Sequence, residues 1–340
     1  MNIKQLDSNN KKRWDEFVCS QNNGTFFHLA GWKDVIEKAF GHNTFFIYTE
    51  ENGVITGVLP LAQVKSFLFG NSLVSLPFCV YGGILASSDE AYCALENAAI
   101  EKAKEKNVDH LELRFKDESK TNWKSKDLYV TFRKEIDPDV EQNLKNIPRK
   151  QRAMVRKGIK ADLTSEIDRS VDRFYEAYAR SVHALGTPVF SKKYFQVLME
   201  EFGDRADILT ITKDGRLISS VLSFYFKDEV LPYYGGGTSE ARAVKGNDFM
   251  YWELMRRSCE KGIKVFDYGR SKEGAGSYSF KKNWGFEPVP LHYQYYLVKA
   301  KEVPDLNPMN PKLQMFIKAW QKMPFAMTKI IGPGIVKSLG

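Results

Sequence analysis

The chain lacks the sequence signatures of the common catalytic sites. It has no Gly-x-Ser-x-Gly elbow, no Walker phosphate loop and no His-Glu-x-x-His helix. Its five histidines stand apart from one another. Four cysteines (Cys19, Cys79, Cys93, Cys259) are scattered without metal-ligand spacing, and their apolar surroundings read as buried free thiols. No metal is expected. No apolar run approaches the roughly 18 residues of a membrane span, and the first residues have no apolar core of a secretory signal. These absences read as a cytoplasmic globular protein. Acid is also missing locally. Seven basic residues and no acidic one lie between Glu141 and Asp162, and the stretch from Leu306 onward carries five lysines and no acid.

What is present is order and repetition. In 340 residues, 43% hydrophobic and 13% aromatic, there is material for about two domains with proper cores. The most patterned stretch runs from Tyr233 to Glu287: a strand ending in Gly235-Gly236-Gly237, a helix, the strand Val265-Phe-Asp-Tyr268, then a polar loop reaching Ser279-Phe-Lys-Lys-Asn-Trp-Gly-Phe286. An earlier stretch echoes it, with Tyr81-Gly82-Gly83, a helix from Asp89 and Val108-Asp-His-Leu-Glu-Leu113. Phe27 to Gly41 echoes Phe190 to Gly203, and Gly53 to Leu59 echoes Gly215 to Leu222. Four matches in one order, at an offset the size of a domain, imply two copies of one α/β domain with mixed sheets and helices packed on them. The Asp137-Pro138-Asp139 stretch marks the expected boundary, giving domains at 1–140 and 141–300 and a basic amphipathic tail at 301–340.

The candidate site is assembled from the second copy. Glycines 235 and 236 after Tyr234 would let a ligand approach the backbone, and a helix starting near Asn247 would aim its amides back at them. Asp267 lies in an apolar strand, where a carboxylate needs a reason. Glu112 holds the equivalent place in the first copy, so a structural role stands beside a catalytic one. Arg270, Tyr278, Phe280 and Lys281 follow on the polar loop, and a lysine aimed at developing negative charge stabilises a tetrahedral intermediate of acyl transfer. In the basic block, Arg149, Arg152 and Arg156 share one side of a helix, as a solvated face or as a site for phosphates. The tail, with Trp320, Phe316 and several isoleucines among its lysines, fits either contact with an anionic membrane face or packing across the domains.

Phe26-Phe27 with Trp32, Ile147-Pro-Arg-Lys-x-Arg152, Tyr233-Tyr-Gly-Gly-Gly237 and Phe280-Lys281-x-x-Trp284-Gly285 resemble the Fem peptidoglycan-bridge aminoacyltransferases. The likeness is closer to the Fem-related proteins that accompany exosortase/PEP-CTERM exopolysaccharide systems. It implies two tandem GNAT-like (N-acetyltransferase-like) domains and no bound cofactor. It also implies transfer of an aminoacyl group from aminoacyl-tRNA to a cell-envelope precursor, with Phe280 and Lys281 at the active site. The coiled-coil arm of some Fem proteins has no counterpart, and Arg242-Ala-Val-Lys-Gly246 lacks the glycine spacing of an acetyl-CoA loop. An acyl-CoA donor therefore stays open, as does a noncatalytic scaffold that binds RNA or membrane.

Overall fold

The computed structural model of the chain describes residues 2–66, 70–118, 120–126, 128–304 and 311–339. It divides into two compact units. The first comprises Met1–Leu128, Pro290–Leu306 and Gly334–Gly340, and the second Tyr129–Val289 and Asn307–Pro333.

The first unit is built on strands β1 (Asn2–Gln5), β2 (Asn43–Glu51), β3 (Val54–Ser66), β4 (Gly70–Ser75), β5 (Leu85–Ala86), β6 (His110–Phe115) and β7 (Lys124–Lys126). Strands β8 (Tyr129–Glu135), β9 (Thr164–Asp168), β10 (Ala206–Lys213), β11 (Arg216–Phe226), β12 (Glu229–Gly237), β13 (Val265–Asp267), β14 (Ser271–Lys272) and β15 (Pro288–Pro290) form the second sheet, and β16 (His292–Leu297) returns to the first. The sheet orders are β1-β2-β3-β4-β6-β16-β7 and β14-β8-β13-β12-β11-β10-β9. The repeat is visible in them. Antiparallel β2-β3-β4 followed by parallel β6 matches antiparallel β10-β11-β12 followed by parallel β13.

The hairpins open where the sequence places them. Asn52-Gly53 and Asp214-Gly215 both have positive φ at each residue, the backbone that a tight turn of right-twisted strands demands. In the first unit, helix Asp89–Glu105 is capped by the Ser88 hydroxyl, which accepts from the Ala91 amide at 3.2 Å. It lays Tyr92, Leu95, Ala99 and Ala103 on a core that includes Leu59, Leu73, Leu111 and Leu113. In the second unit, Phe132, Val155, Val221, Phe249, Met250, Phe266 and Trp284 form the corresponding core.

Three expectations are corrected. The units are discontinuous rather than 1–140, 141–300 and 301–340: β8 belongs to the second sheet, β16 to the first, and the tail is divided between them. Alternation in Tyr129–Glu135 marks a strand, but pleat periodicity does not say which sheet will take it. Asp137-Pro138-Asp139 lies inside the second unit, where the Asp139 carboxylate accepts the Glu141 amide and starts helix Val140–Asn146. Cys79 and Cys259 are buried, but Cys19 and Cys93 are exposed. No described helix is long and apolar enough to cross a membrane.

Candidate functional site

Strands β12 and β13 pair in parallel only at Glu229–Val265 and Val230–Phe266. Beyond Val230 they part. Pro232, which has no N–H to give to a ladder, lies where the pairing stops. Past the end of β13 the chain turns at Gly269, with φ of 68°. The Asp267 carboxylate, 1% exposed, accepts the Gly269 amide at 2.7 Å and the Thr131 hydroxyl at 3.2 Å, and pairs with the Arg133 guanidinium at 3.2 Å. The carbonyls of the turn are then presented to Lys281. Its amino group, on helix Gly276–Asn283, donates to Gly269 O at 2.9 Å and Arg270 O at 3.0 Å and sits 5.7 Å from the Phe132 ring centroid.

This arrangement decides the chemistry of the amine. Lys281 is 8% exposed, and burial pushes its pKa down to about 7 against the opposing pull of Asp267. Protonated, it has one N–H beyond the two given to carbonyls; unprotonated, both hydrogens are committed and the lone pair is open. Near neutral pH it holds both forms. Asp267 also acts on it indirectly, by fixing the Gly269 loop.

Two hydroxyls nearby in sequence have no hydrogen-bond partner among the described residues. They are those of Tyr268 and Ser271, and both residues are buried. Burial raises the Tyr268 phenol well above its ordinary pKa, so it stays protonated as a donor. A buried polar atom without a partner has unused hydrogen-bonding capacity. Sequence reasoning passed over Tyr268, Ser271, Thr131 and Arg133. An aromatic inside an apolar strand looks like core, and Thr131 and Arg133 come from a strand assigned to the wrong domain.

The predicted residues do not form one cluster. Gly235 faces Tyr251 and Met250 of helix Gly246–Glu260, while Gly236 faces Ala177, Tyr178 and Ser181 of helix Asp172–Ala184 on the other side of the sheet. Tyr234 shares the second side, its hydroxyl 2.9 Å from that of Tyr194 and its ring among Tyr178, Phe190 and Phe195. A Cβ on Gly236 would stand 2.6 Å from Ala177 O, so this glycine admits a helix, not a ligand. Between the glycine strand and Phe280 lies the Tyr251 ring, 5.5 Å from Phe280 and beside Gly235. Phe280 also packs near Trp284, and Tyr278 edges onto Phe132. Arg270 stacks on Tyr129 at 4.5 Å.

The helix expected near Asn247 begins at Gly246 behind left-handed Lys245. Asn247 is exposed, and its first-turn neighbour Asp248 is hydrogen-bonded by Gln151 and raised in pKa by burial. Gln151 belongs to the basic helix Arg149–Ile159, which packs there through Gly158. Arg149 and Arg156 are exposed and Arg152 donates to Lys145 O at 2.8 Å; among the described residues none of the three forms an ion pair. Arg149, Lys150, Met154 and Lys282 line an open hollow of about 460 Å³, one residue on from Lys281. A more enclosed cavity of about 320 Å³ lies in the first unit, lined by Tyr81, Gly83, His28 and Arg114. There His28 is already bonded to Gly83 O and the Thr25 hydroxyl, and Arg114 to Glu112.

The family model of the acetyltransferase (GNAT) domain matches residues 142–282, the span that ends at Lys282. Lipid II:glycine glycyltransferase of Staphylococcus haemolyticus (strain JCSC1435) is 27% identical over 97 residues, which are 26% of this chain and 23% of that protein. The aligned stretch thus spans less than a quarter of that relative. Among solved structures, FemX superposes with a TM-score of 0.67 at 17% identity, covering 88% of this chain and 98% of its own. A tandem GNAT protein from the clavulanic acid biosynthesis pathway superposes with a TM-score of 0.56 at 12% identity, covering 89% of this chain and 99% of its own. Residues 142–282, within the second copy, thus match the acetyltransferase (GNAT) domain, and the chain as a whole shares the fold of FemX and of a tandem GNAT protein.

Proposed function

We propose that the second unit transfers an acyl or aminoacyl group to an amine or hydroxyl of a cell-envelope precursor. The observation that carries this is Lys281, a buried amine poised near neutrality and held by the carbonyls of the turn just past the end of β13. In the proposed step the acceptor nitrogen or oxygen attacks the carbonyl carbon of the donor ester or thioester. The third N–H of protonated Lys281 stabilises the oxyanion. Collapse breaks the bond to the leaving oxygen or sulfur, and the acceptor's proton goes to the leaving group or to water. The Tyr268 and Ser271 hydroxyls, on the stretch of chain that holds the Lys281 amine, are the groups proposed to bond substrate.

The donor is proposed to be aminoacyl-tRNA, with acyl-CoA as the alternative. The unpaired cations of helix Arg149–Ile159 beside Lys282 favour a polyphosphate-bearing donor or acceptor of either kind. The glycyltransferase likeness favours a peptidoglycan precursor as acceptor, and an exopolysaccharide precursor is the other candidate. The test incubates the protein with labelled aminoacyl-tRNA or acyl-CoA pools and extracted envelope precursors, and reads the precursor's mass. A gain from the tRNA pool that disappears in Lys281→Met supports aminoacyl transfer. A gain from CoA alone moves the donor to the thioester. No gain from either, with salt-sensitive RNA binding weakened by Arg149→Ala but not by Lys281→Met, overturns the enzyme reading in favour of a scaffold.

A further inference from the structure

The end of the chain has two faces, and only one is used. Helices Pro311–Lys322 and Phe325–Val336 rest their inner sides on the second unit, around the C-terminal half of helix Asp172–Ala184. His183 Nε2 lies 3.0 Å from Met323 O, and Gln321 donates to Ala184 O at 2.9 Å. Trp320 is 2% exposed, Gly186 accepts Ile317 at the closeness only a glycine permits, and Gly332 does the same for Val189. Lys329 pairs with Glu176 at 3.6 Å, and Arg180 lies over the Phe325 ring at 5.0 Å. The two helices are therefore held in place, and their outer faces point away from a common support.

Those outer faces are apolar and cationic. Ala326, Met327, Ile330 and Ile331 lie on one arc of the second helix and are all exposed, Ile330 by 79%. Met315, at 73%, shares the outer arc of the first helix with Lys318 and Lys322. Five of the eleven exposed large apolar side chains among the described residues fall between 315 and 331, which is concentration rather than scatter. Lys318 and Lys322 form no ion pair among the described residues, and no acidic residue occurs from Leu306 onward. A second copy of the chain docking face to face would bring the same lysines together. An anionic bilayer surface accepts both features, the apolar side chains entering the headgroup region and the lysines meeting lipid phosphate.

We propose that Met315, Met327, Ile330 and Ile331, flanked by Lys318 and Lys322, form a preformed docking face for an anionic phospholipid membrane. It does not depend on the acyl-transfer reading and can be tested without a substrate. The full chain is sedimented with vesicles of phosphatidylcholine alone or mixed with phosphatidylglycerol, at low and high salt. Binding is expected to the phosphatidylglycerol vesicles and to weaken with salt. Ile330→Glu should cut it by roughly tenfold or more. Lys318→Glu/Lys322→Glu should cut it more than tenfold, at about fivefold per lysine lost. Both variants alter exposed positions, so thermal melts should match the wild type, confirming that the fold is kept. Absence of wild-type binding, or binding unaffected by the three substitutions, overturns the proposal. So does a wild-type dimer in vesicle-free solution that Ile330→Glu converts to monomer.

Discussion

The two copies place a buried carboxylate at the corresponding point of their respective sheets and surround it differently. In the first copy Glu112 pairs with Arg114 at 2.7 Å, two residues along its own strand. Arg114 then reaches Cys79 O at 2.8 Å, and its backbone amide is taken by the Ser75 hydroxyl. The segment between the two parallel strands is folded back into the fork, with Gly83 N bonded to Arg114 O. In the second copy Asp267 takes its arginine from a neighbouring strand, and past it come a positive-φ glycine, a buried amine near neutrality and two unsatisfied hydroxyls. In polar terms the first fork is closed, its buried charges paired with one another. In the second, the Tyr268 and Ser271 hydroxyls have no partner among the described residues.

The contrast can be broken most forcefully from the closed side. Glu112→Ala would leave Arg114 buried without its counter-charge, and about 3–5 kcal/mol of stability should be lost, read by denaturant unfolding. The turnover of the folded fraction should be unchanged. On the open side the effects reverse. Lys281→Met should lower kcat/KM by about 10²–10³ while the protein stays folded, and full activity in that variant would remove the amine from the mechanism.

Gly236→Ala forces a methyl against the Ala177 carbonyl and should cost about 1–3 kcal/mol in melting experiments; a neutral result would mean that the helix can yield. A pH titration of stability sharpens the comparison further. Folded Lys281 loses its proton near pH 7, whereas an unfolded lysine keeps it to about 10.4. Between those values the unfolded chain binds the extra proton, so wild-type stability should rise with pH relative to Lys281→Met. The slope is at most about 1.4 kcal/mol per pH unit, levelling off above the unfolded pKa. A flat difference would show that the amine is ordinary. The smallest expected change is Tyr268→Phe. It removes a hydroxyl without a partner and should leave stability within about 1 kcal/mol, while weakening substrate use if that hydroxyl meets the ligand.

The duplication was legible because it rests on local chemistry. Asn52-Gly53 and Asp214-Gly215 specify their hairpins, and Leu111 with Leu113 shows the pleat of a strand. Lys281 was legible as a candidate through the resemblance, but its burial and depressed pKa were not. These depend on Gly269, Arg270 and Phe132 meeting it across the fold. The Thr131 and Arg133 partners of Asp267 are more than 130 residues away in sequence, on a strand whose pattern fits either sheet. The glycine run misled for a related reason. Glycine marks close approach of something to the backbone, and sequence does not say whether that is a ligand or a helix.

The placement of β16 between β6 and β7 also bears on how the protein is made. When a ribosome has released residues up to β7, the first sheet is still missing the strand that fills this gap, and about 170 further residues must follow before it arrives. At translation speeds of about 5–20 residues per second, the nascent chain waits on the order of ten to thirty seconds with the β6 edge open. A bare edge is an invitation to pair with the wrong neighbour. Cutting the gene after residue 128 therefore yields an incomplete sheet, not a free-standing first domain. Slow synthesis should burden chaperones most during this interval.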